Sequence, residues 1–287
     1  QAKTLFPYTT LFRSSPETRF SWNASHAAWD HPDNSDRWKE EMIRNLALWK
    51  FDYMRKSGSK GITNALSGGQ DSAFNCVITR VMVELGMKDL GVEGFCNAMS
   101  LPYKAQIMAA YGTGGHNAAI KECMDNMLTC YHMPTNNSSY ETWYAAKTLI
   151  EGGTDDQGRA FEGIGGKFVE RNVQDLVTMC AFIFGTKNST QIPSDRKIKI
   201  IDELSAFVHA SPHQYTPDQL KDWAKKIQQE YPEVEALTSA ALPGHEIGYE
   251  NFQARIRTVL IWAAANIERK MAEANPNLDE AYGAYAT

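Results

Sequence analysis

The sequence predicts an α/β fold with a doubly wound parallel sheet, on three observations. A short apolar run, Ile62 to Leu66, hands over through Ser67-Gly68-Gly69-Gln70-Asp71-Ser72 to a helical pattern beginning near Ala73. Two further apolar runs, Gly91 to Met99 and Cys130 to Met133, alternate with helical patterns, which argues for parallel strands with helices on both faces. Between Asn136 and His245 the chain turns to helical patterns punctuated by Gly, Pro and Asp, read as a long helical insertion, about 136–245. In such a sheet, ligands belong at the carboxyl ends of the strands.

The elements follow in order. Ser15 to Asp36 is polar and turn-rich. A helix begins near Ser35, and its stripe of Trp38, Met42, Leu46 and Trp49 reads as core. After the first strand and the glycine turn, Val77, Val81 and Leu85 recur every four residues, and Gly86 is read as the C-cap. The run Gly91–Met99 is a second strand leading into Ser100-Leu101-Pro102-Tyr103, so that both loops sit at carboxyl ends. Tyr111 to His116 (YGTGGH) is a flexible connection ahead of a helix from about Asn117 to Leu128. Within the insertion, helical patterns cover Val173 to Phe184, Ile198 to Val208 and Pro217 to Tyr231, the last with Pro in its first turn after Thr216.

Composition excludes several classes. At 287 residues and 43% hydrophobic, the chain has length for a real core, and no apolar run approaches the ~18 residues of a membrane span. A net charge of -5, from 29 basic and 34 acidic residues, offers no global attraction to nucleic acid or an anionic membrane. Five cysteines without a CxxC pair suggest neither a disulfide framework nor a zinc ribbon, and fit a reducing cytoplasm. His209, His213 and His245 lack metal-ligand spacing. The N-terminus carries no secretory signal. The run KTLFPYTTLFRS looks like translated adapter sequence, so 1–14 is set apart as a non-native segment, 15–39 as a polar segment and 40–287 as the folded domain.

The glycine turn is built for an anion. Glycines let backbone approach a phosphate, successive amides form a nest, and the helix N-terminus adds partial positive charge. Ser67 and Ser72 add hydroxyl donors, while Asp71 would be repelled by phosphate unless Mg²⁺ bridged the two. The turn is not a Walker loop, since no lysine lies between Lys60 and Lys88. A second stretch, Tyr249-Glu250-Asn251-Phe252-Gln253-Ala254-Arg255-Ile256-Arg257, puts Asn251 and Arg255 on one helix face, with Phe252, Ile256 and Val259 on the packing side.

The six residues SGGQDS match the SGGxDS loop of the pyrophosphate-loop ATPases, a Rossmann-like group. With NxQARxR following, the chain from about Glu40 onward resembles NAD synthetase. Asn277-Leu278-Asp279-Glu280 is similar to the family's loop bearing a second magnesium carboxylate, 23 residues beyond Arg257. The resemblance implies that Ser67, Gly68, Gly69, Asp71, Ser72 and Asn275 hold ATP, that Asp71 and Glu280 bind Mg²⁺, and that Asn251, Arg255 and Arg257 hold deamido-NAD. It implies ATP-dependent amidation of deamido-NAD through an acyl-adenylate, with ammonia free or derived from glutamine, no side-chain nucleophile, and a homodimer or larger homo-oligomer. The other readings are another pyrophosphate-loop amidotransferase such as GMP synthetase, or an inactive nucleotide-binding fragment.

Departures from the family pattern stand beside this. Asn275 replaces Thr or Ser, Ser100 replaces an arginine, and Lys270 to Ala274 is polar for a central strand. Glu170-Arg171-Asn172-Val173-Gln174 echoes the later motif without an arginine pair and is set aside as a decoy. The chain stops at Thr287, seven residues after Glu280, and is expected to be truncated at both ends.

Overall fold

A computed structural model describes residues 37–135, 138–155, 157–208, 215–234 and 246–275. Its elements run α1 (Arg37–Ser57), β1 (Ile62–Ala65), α2 (Gln70–Ala98), α3 (Lys104–Met127), β2 (Leu128–His132), α4 (Tyr140–Glu151), β3 (Gly152–Thr154), β4 (Ala160–Glu162), β5 (Lys167–Glu170), α5 (Gln174–Gly185), α6 (Ser194–Val208), α7 (Pro217–Glu230), α8 (Glu246–Glu268) and β6 (Met271–Glu273). Four strands form a parallel sheet in the order β5-β2-β1-β6, while β3 and β4 pair as an antiparallel ribbon. Side chains alternate across the sheet as a pleat requires. Ile62, Leu66, Leu128 and Cys130 join the core with α1, α2 and α3, and Ala65, Tyr131 and Ala272 pack with Ile261 of α8. Helices thus cover both faces, and the doubly wound α/β expectation holds.

Several local expectations are overturned. Gly91–Met99 is helix rather than strand, set off within α2 by a left-handed Gly91 at φ 71°. Val92, Phe95, Cys96 and Met99 are all buried, and their spacing of three, one and three is that of a helix face. Gly86 is not a C-cap. It lies inside α2, where a Cβ would come within 2.5 Å of the Phe95 ring, so its lack of a side chain makes room for that aromatic. YGTGGH is likewise helical, within α3, with the break at Gly115.

Ser100-Leu101-Pro102-Tyr103 sits at the amino end of the sheet, not the carboxyl end. Tyr103 donates to Lys60 O (2.9 Å) and Lys60 Nζ to Ser100 O (3.0 Å), two residues before β1 begins. The stripe on α1 read as core, leaving aside Trp38, whose side chain lies outside the described ones, is turned outward. Met42, Leu46 and Trp49 are 42%, 36% and 49% exposed, and Ala47, Phe51 and Met54 carry the packing instead. On α8, Ile256 is buried as expected but Val259 is 66% exposed. β6 is polar because it is the edge strand among the described residues, and its Glu273 is engaged by a buried lysine.

The helices α5, α6 and α7 form on the expected spans and enclose a second core of Val177, Phe182, Ile200, Leu204, Phe207 and Ile227, against which Ile256 of α8 packs. Thr216 and Gln219 form a reciprocal capping box at the start of α7. The stretch 136–245 is therefore of two kinds. α4 and β5 join the sheet and its core, whereas α5–α7 pack on one another.

Candidate nucleotide site

β1 is the topological switch point of the sheet: the chain leaves it toward β2 and β5 and returns on its other side as β6. A crevice opens there, outside the strand ends. The glycine turn fills its floor. Gly68 takes φ 91°, and a Cβ on it would stand 2.3 Å from Thr142 O in the first turn of α4. Glycine is required here on both counts. Ser67 Oγ lies 3.1 Å from Ser72 Oγ and accepts from the Gly69 amide at 3.1 Å; Ser72 Oγ donates to Gly69 O at 3.0 Å. Gly69 is the N-cap of α2 and supplies no side-chain cap, which leaves first-turn amides turned to a ligand or water.

Two cavities flank the turn. The first, about 330 Å³, lies between it, β6 and α8, and is lined by Ser67, Gly69, Asp71, Ser72, Arg257 and Asn275 among others. The second, about 310 Å³, lies between the turn, the end of β2 and the start of α4, and Ser67 and Arg257 line it as well. Arg257 donates through Nε to Met133 O (3.0 Å), which places its cationic group between the two. Long side chains on α8 that reach the strand ends from above account for this position.

The structure brings Ser67, Gly69, Asp71, Ser72, Asn275 and Arg257 to one cavity, with Gly68 in the turn beneath. Arg255 is exposed and lines neither cavity. Asn251 lies in α8, but its side chain is outside the described atoms, and Glu280 lies outside the described residues. The decoy segment serves the fold: Asn172 Oδ1 accepts from the Gln174 amide (2.8 Å) at the start of α5.

A buried polar network behind the first cavity has no counterpart in the sequence reading. Lys50 Nζ on α1 lies 2.5 Å from Glu273 Oε1 and donates to Asn75 O (2.9 Å) and Thr79 Oγ1 (3.0 Å). Glu273 Oε2 accepts from Asn64 Nδ2 (3.1 Å), and Asn64 in turn donates to Asn275 Oδ1 (3.0 Å). Asn275 Oδ1 also accepts from Asn75 Nδ2 (2.9 Å), and Asn275 Nδ2 donates to Ala65 O (3.1 Å). The Asn275 carboxamide is thus engaged through both its atoms by the protein. Its neighbours tie α1, β1, α2 and β6 together at the cavity wall. No local signal marks Lys50 among the many charged residues of α1, and only the tertiary structure buries it to 2% exposure.

Comparison with known proteins gives the same direction. No family model matches. The chain is 30% identical over 115 residues to a glutamine-dependent NAD(+) synthetase of Arabidopsis thaliana, and equally to one of Oryza sativa subsp. indica, covering 39% of this chain and 15% of each relative. A glutamine-dependent NAD(+) synthetase of Dictyostelium discoideum is 33% identical over 86 residues, 28% of this chain and 12% of that one. The chain resembles the glutamine-dependent NAD(+) synthetases. The crystal structure of the synthetase from Cytophaga hutchinsonii shares the fold, with a TM-score of 0.57 and 23% identity, over 86% of this chain and 32% of that one. The matched stretch spans about a seventh of the plant relatives' length.

Proposed function

We propose that this chain catalyses the ATP-dependent amidation of deamido-NAD to NAD, releasing AMP and pyrophosphate. The observation that carries the reading is the SGGQDS turn at the switch point of the sheet, facing Arg257 across the first cavity. A pyridine carboxylate is a poor electrophile for ammonia, so its oxygen must first become a leaving group. Attack on the α-phosphate of ATP forms an acyl-adenylate and expels pyrophosphate, whose developing charge the turn amides and the helix N-terminus are placed to stabilise. Ammonia, free or derived from glutamine, then displaces AMP. Positioning two nucleotides supplies much of the rate, and no side-chain nucleophile is needed.

Mg²⁺ fits the donors present. Asp71 offers an exposed carboxylate on the cavity beside the Ser67 and Ser72 hydroxyls, an all-oxygen set suited to a hard cation. Asp71, with Glu280, would hold an ion that neutralises phosphate charge. Glu273 lines the same cavity but is already engaged by Lys50. Arg257 is assigned to substrate phosphate or carboxylate, and Asn251 and Arg255 to deamido-NAD along α8. A homodimer is part of this reading, supported by exposed apolar side chains on α1 (Met42, Trp49, Tyr53) and α8 (Val259, Trp262, Ile267). A cytoplasmic setting is supported by the free thiols of Cys76 and Cys130, whose sulfurs lie 3.5 Å apart.

The test is incubation with ATP, MgCl₂, deamido-NAD and ammonium chloride, following NAD, AMP and pyrophosphate. Equimolar formation of the three is expected, together with pyrophosphate exchange into ATP that requires deamido-NAD. Cleavage to ADP, or amidation of xanthosine monophosphate in its place, would overturn the assignment.

A further inference from the structure

The glycine turn is anchored from outside by a side chain that the nucleotide reading leaves unused. The ladder between β1 and β2 runs on past Ala65, with the Leu66 amide donating to Tyr131 O (3.0 Å). In a continued parallel ladder the Leu66 carbonyl would next accept from the Met133 amide. It meets instead the side chain of His132, the last residue of β2, whose Nδ1 lies 3.0 Å away. A carbonyl only accepts, so Nδ1 carries the proton. The imidazole takes the place of a backbone amide, and the ladder ends at the residue before Ser67.

The ring is fixed, and the carbonyl is held to it. His132 is 3% exposed, it stacks on Phe168 of β5 with ring centres 6.0 Å apart, and its buried Nε2 has no hydrogen-bond partner. Leu66 O is thus the ring's one polar tie among the described residues. The Leu66 carbonyl and the Ser67 amide belong to one planar peptide group, so holding the first orients the second. Ser67 N lies 3.3 Å from Ser72 Oγ, and Ser67 Oγ accepts from the Gly69 amide (3.1 Å), which carries the constraint into the turn. Met133, the next residue, gives its carbonyl to Arg257 Nε (3.0 Å). Two adjacent residues therefore set both the turn and the guanidinium that faces it.

We propose that His132 is a positioning residue for the phosphate turn: its Nδ1–H ends the ladder at Leu66 and aims the Ser67 peptide, and with it the turn amides, at the leaving pyrophosphate. The ligand in this proposal rests on the amidation reading, whereas the coupling of His132 to the turn rests on geometry alone. His132 acts through Leu66 and not on a substrate atom.

The test begins with the full wild-type chain, free of ligand. Long-range ¹H–¹⁵N spectra at mildly alkaline pH should show His132 as the Nδ1–H tautomer, with the signal identified by its loss in His132→Asn. An Nε2–H tautomer would overturn the proposal before any variant is compared. His132→Phe keeps a ring against Phe168 and removes the donor, whereas in His132→Asn the Nδ2–H stands where the Nδ1–H stood. The Ser67, Gly68 and Gly69 amide resonances should move in the Phe variant and stay near those of the wild type in the Asn variant. Calorimetric titration with magnesium pyrophosphate should show affinity falling on the order of tenfold in the Phe variant, as expected for about one hydrogen bond, and staying within about threefold in the Asn variant. A folded Phe variant with unmoved turn amides and wild-type affinity would show that His132 only fills the core. Equal weakening in both variants would show that its N–H is not what holds the turn. Either result overturns the proposal. Wild-type protein that does not bind magnesium pyrophosphate defeats the nucleotide reading instead, and the tautomer and the turn amides still decide the role of His132.

Discussion

Two lysine–glutamate pairs bracket the short edge strand β6, and they are built differently. At its carboxyl end Lys50 meets Glu273 at 2.5 Å, with side-chain exposures of 2% and 9%, in the wall of the first cavity. At its amino end Lys270 meets Glu268 at 2.9 Å, with exposures of 8% and 26%. The first pair spends its remaining hydrogen bonds on α2 and on the asparagines that shape the cavity wall. The second spends them on β2, where Lys270 Nζ donates to Thr129 Oγ1 (2.6 Å) and Tyr131 Oη donates to Glu268 Oε1 (2.6 Å). Burial pushes the Tyr131 hydroxyl up to about 12, with the hydrogen bond to Glu268 adding to it. Burial works to raise the Glu268 carboxyl too, but hydrogen bonds from Tyr131, Lys270 and Thr129 outweigh it and hold the group below the usual range. The same chemistry therefore walls the first cavity at one end of the strand and ties α8 to β2 at the other.

Substitutions at the two ends should separate accordingly. The largest effect is expected from Asp71→Asn at the carboxyl end. Deamido-NAD-dependent pyrophosphate exchange should fall on the order of 10²-fold or more while the circular dichroism and melting curve stay unchanged. Retained exchange would remove the metal role of Asp71.

Lys50→Met leaves Glu273 buried without its cation and should cost about 3–5 kcal/mol in urea unfolding. Adding Glu273→Met should recover most of that stability. The KM for ATP should stay raised in the double variant, because Asn64 and Asn275 have lost their anchor. A double variant with wild-type KM would reduce this pair to the same standing as the one at the amino end.

Gly68→Ala places a Cβ against Thr142 O at a left-handed φ and should cost about 2 kcal/mol, with exchange activity reduced as the turn shifts. Unaltered stability and activity would mean that α4 gives way at no cost.

The smallest effect belongs to Glu268→Gln. A carboxylate lowered in the folded state contributes stability that is complete above its unfolded value, about 4.3, and is lost as pH falls through the folded value. The variant should lose about 1 kcal/mol at neutral pH, converge on the wild type below pH about 4, and keep its pyrophosphate exchange. Impaired exchange would break the contrast between the two ends.

How much was legible before the structure differs by element. The turn, β1, β2, α5–α7 and the doubly wound sheet were readable because each rests on local signals: glycine and serine at a strand–helix junction, helical periodicity, or a cap such as Thr216. Gly91–Met99 misled because Gly91 before it and Ser100-Leu101-Pro102 after it looked like strand boundaries, although the buried set 92, 95, 96 and 99 carries a helical period. The stripe on α1 misled because amphipathicity says that a face is apolar, and not whether this part of the chain covers it.

By itself the sequence determined that a strand would deliver a glycine–serine turn to a helix N-terminus, since that depends on residues adjacent in the chain. Only the tertiary structure decided what surrounds the turn. Lys50, Asn64, Asn75, Glu273 and Asn275 are separated by up to 225 positions, and His132 meets Leu66 O only once β2 lies beside β1. Burial and the pairing of distant polar groups are properties of the packed sheet. No local pattern of residue types encodes them.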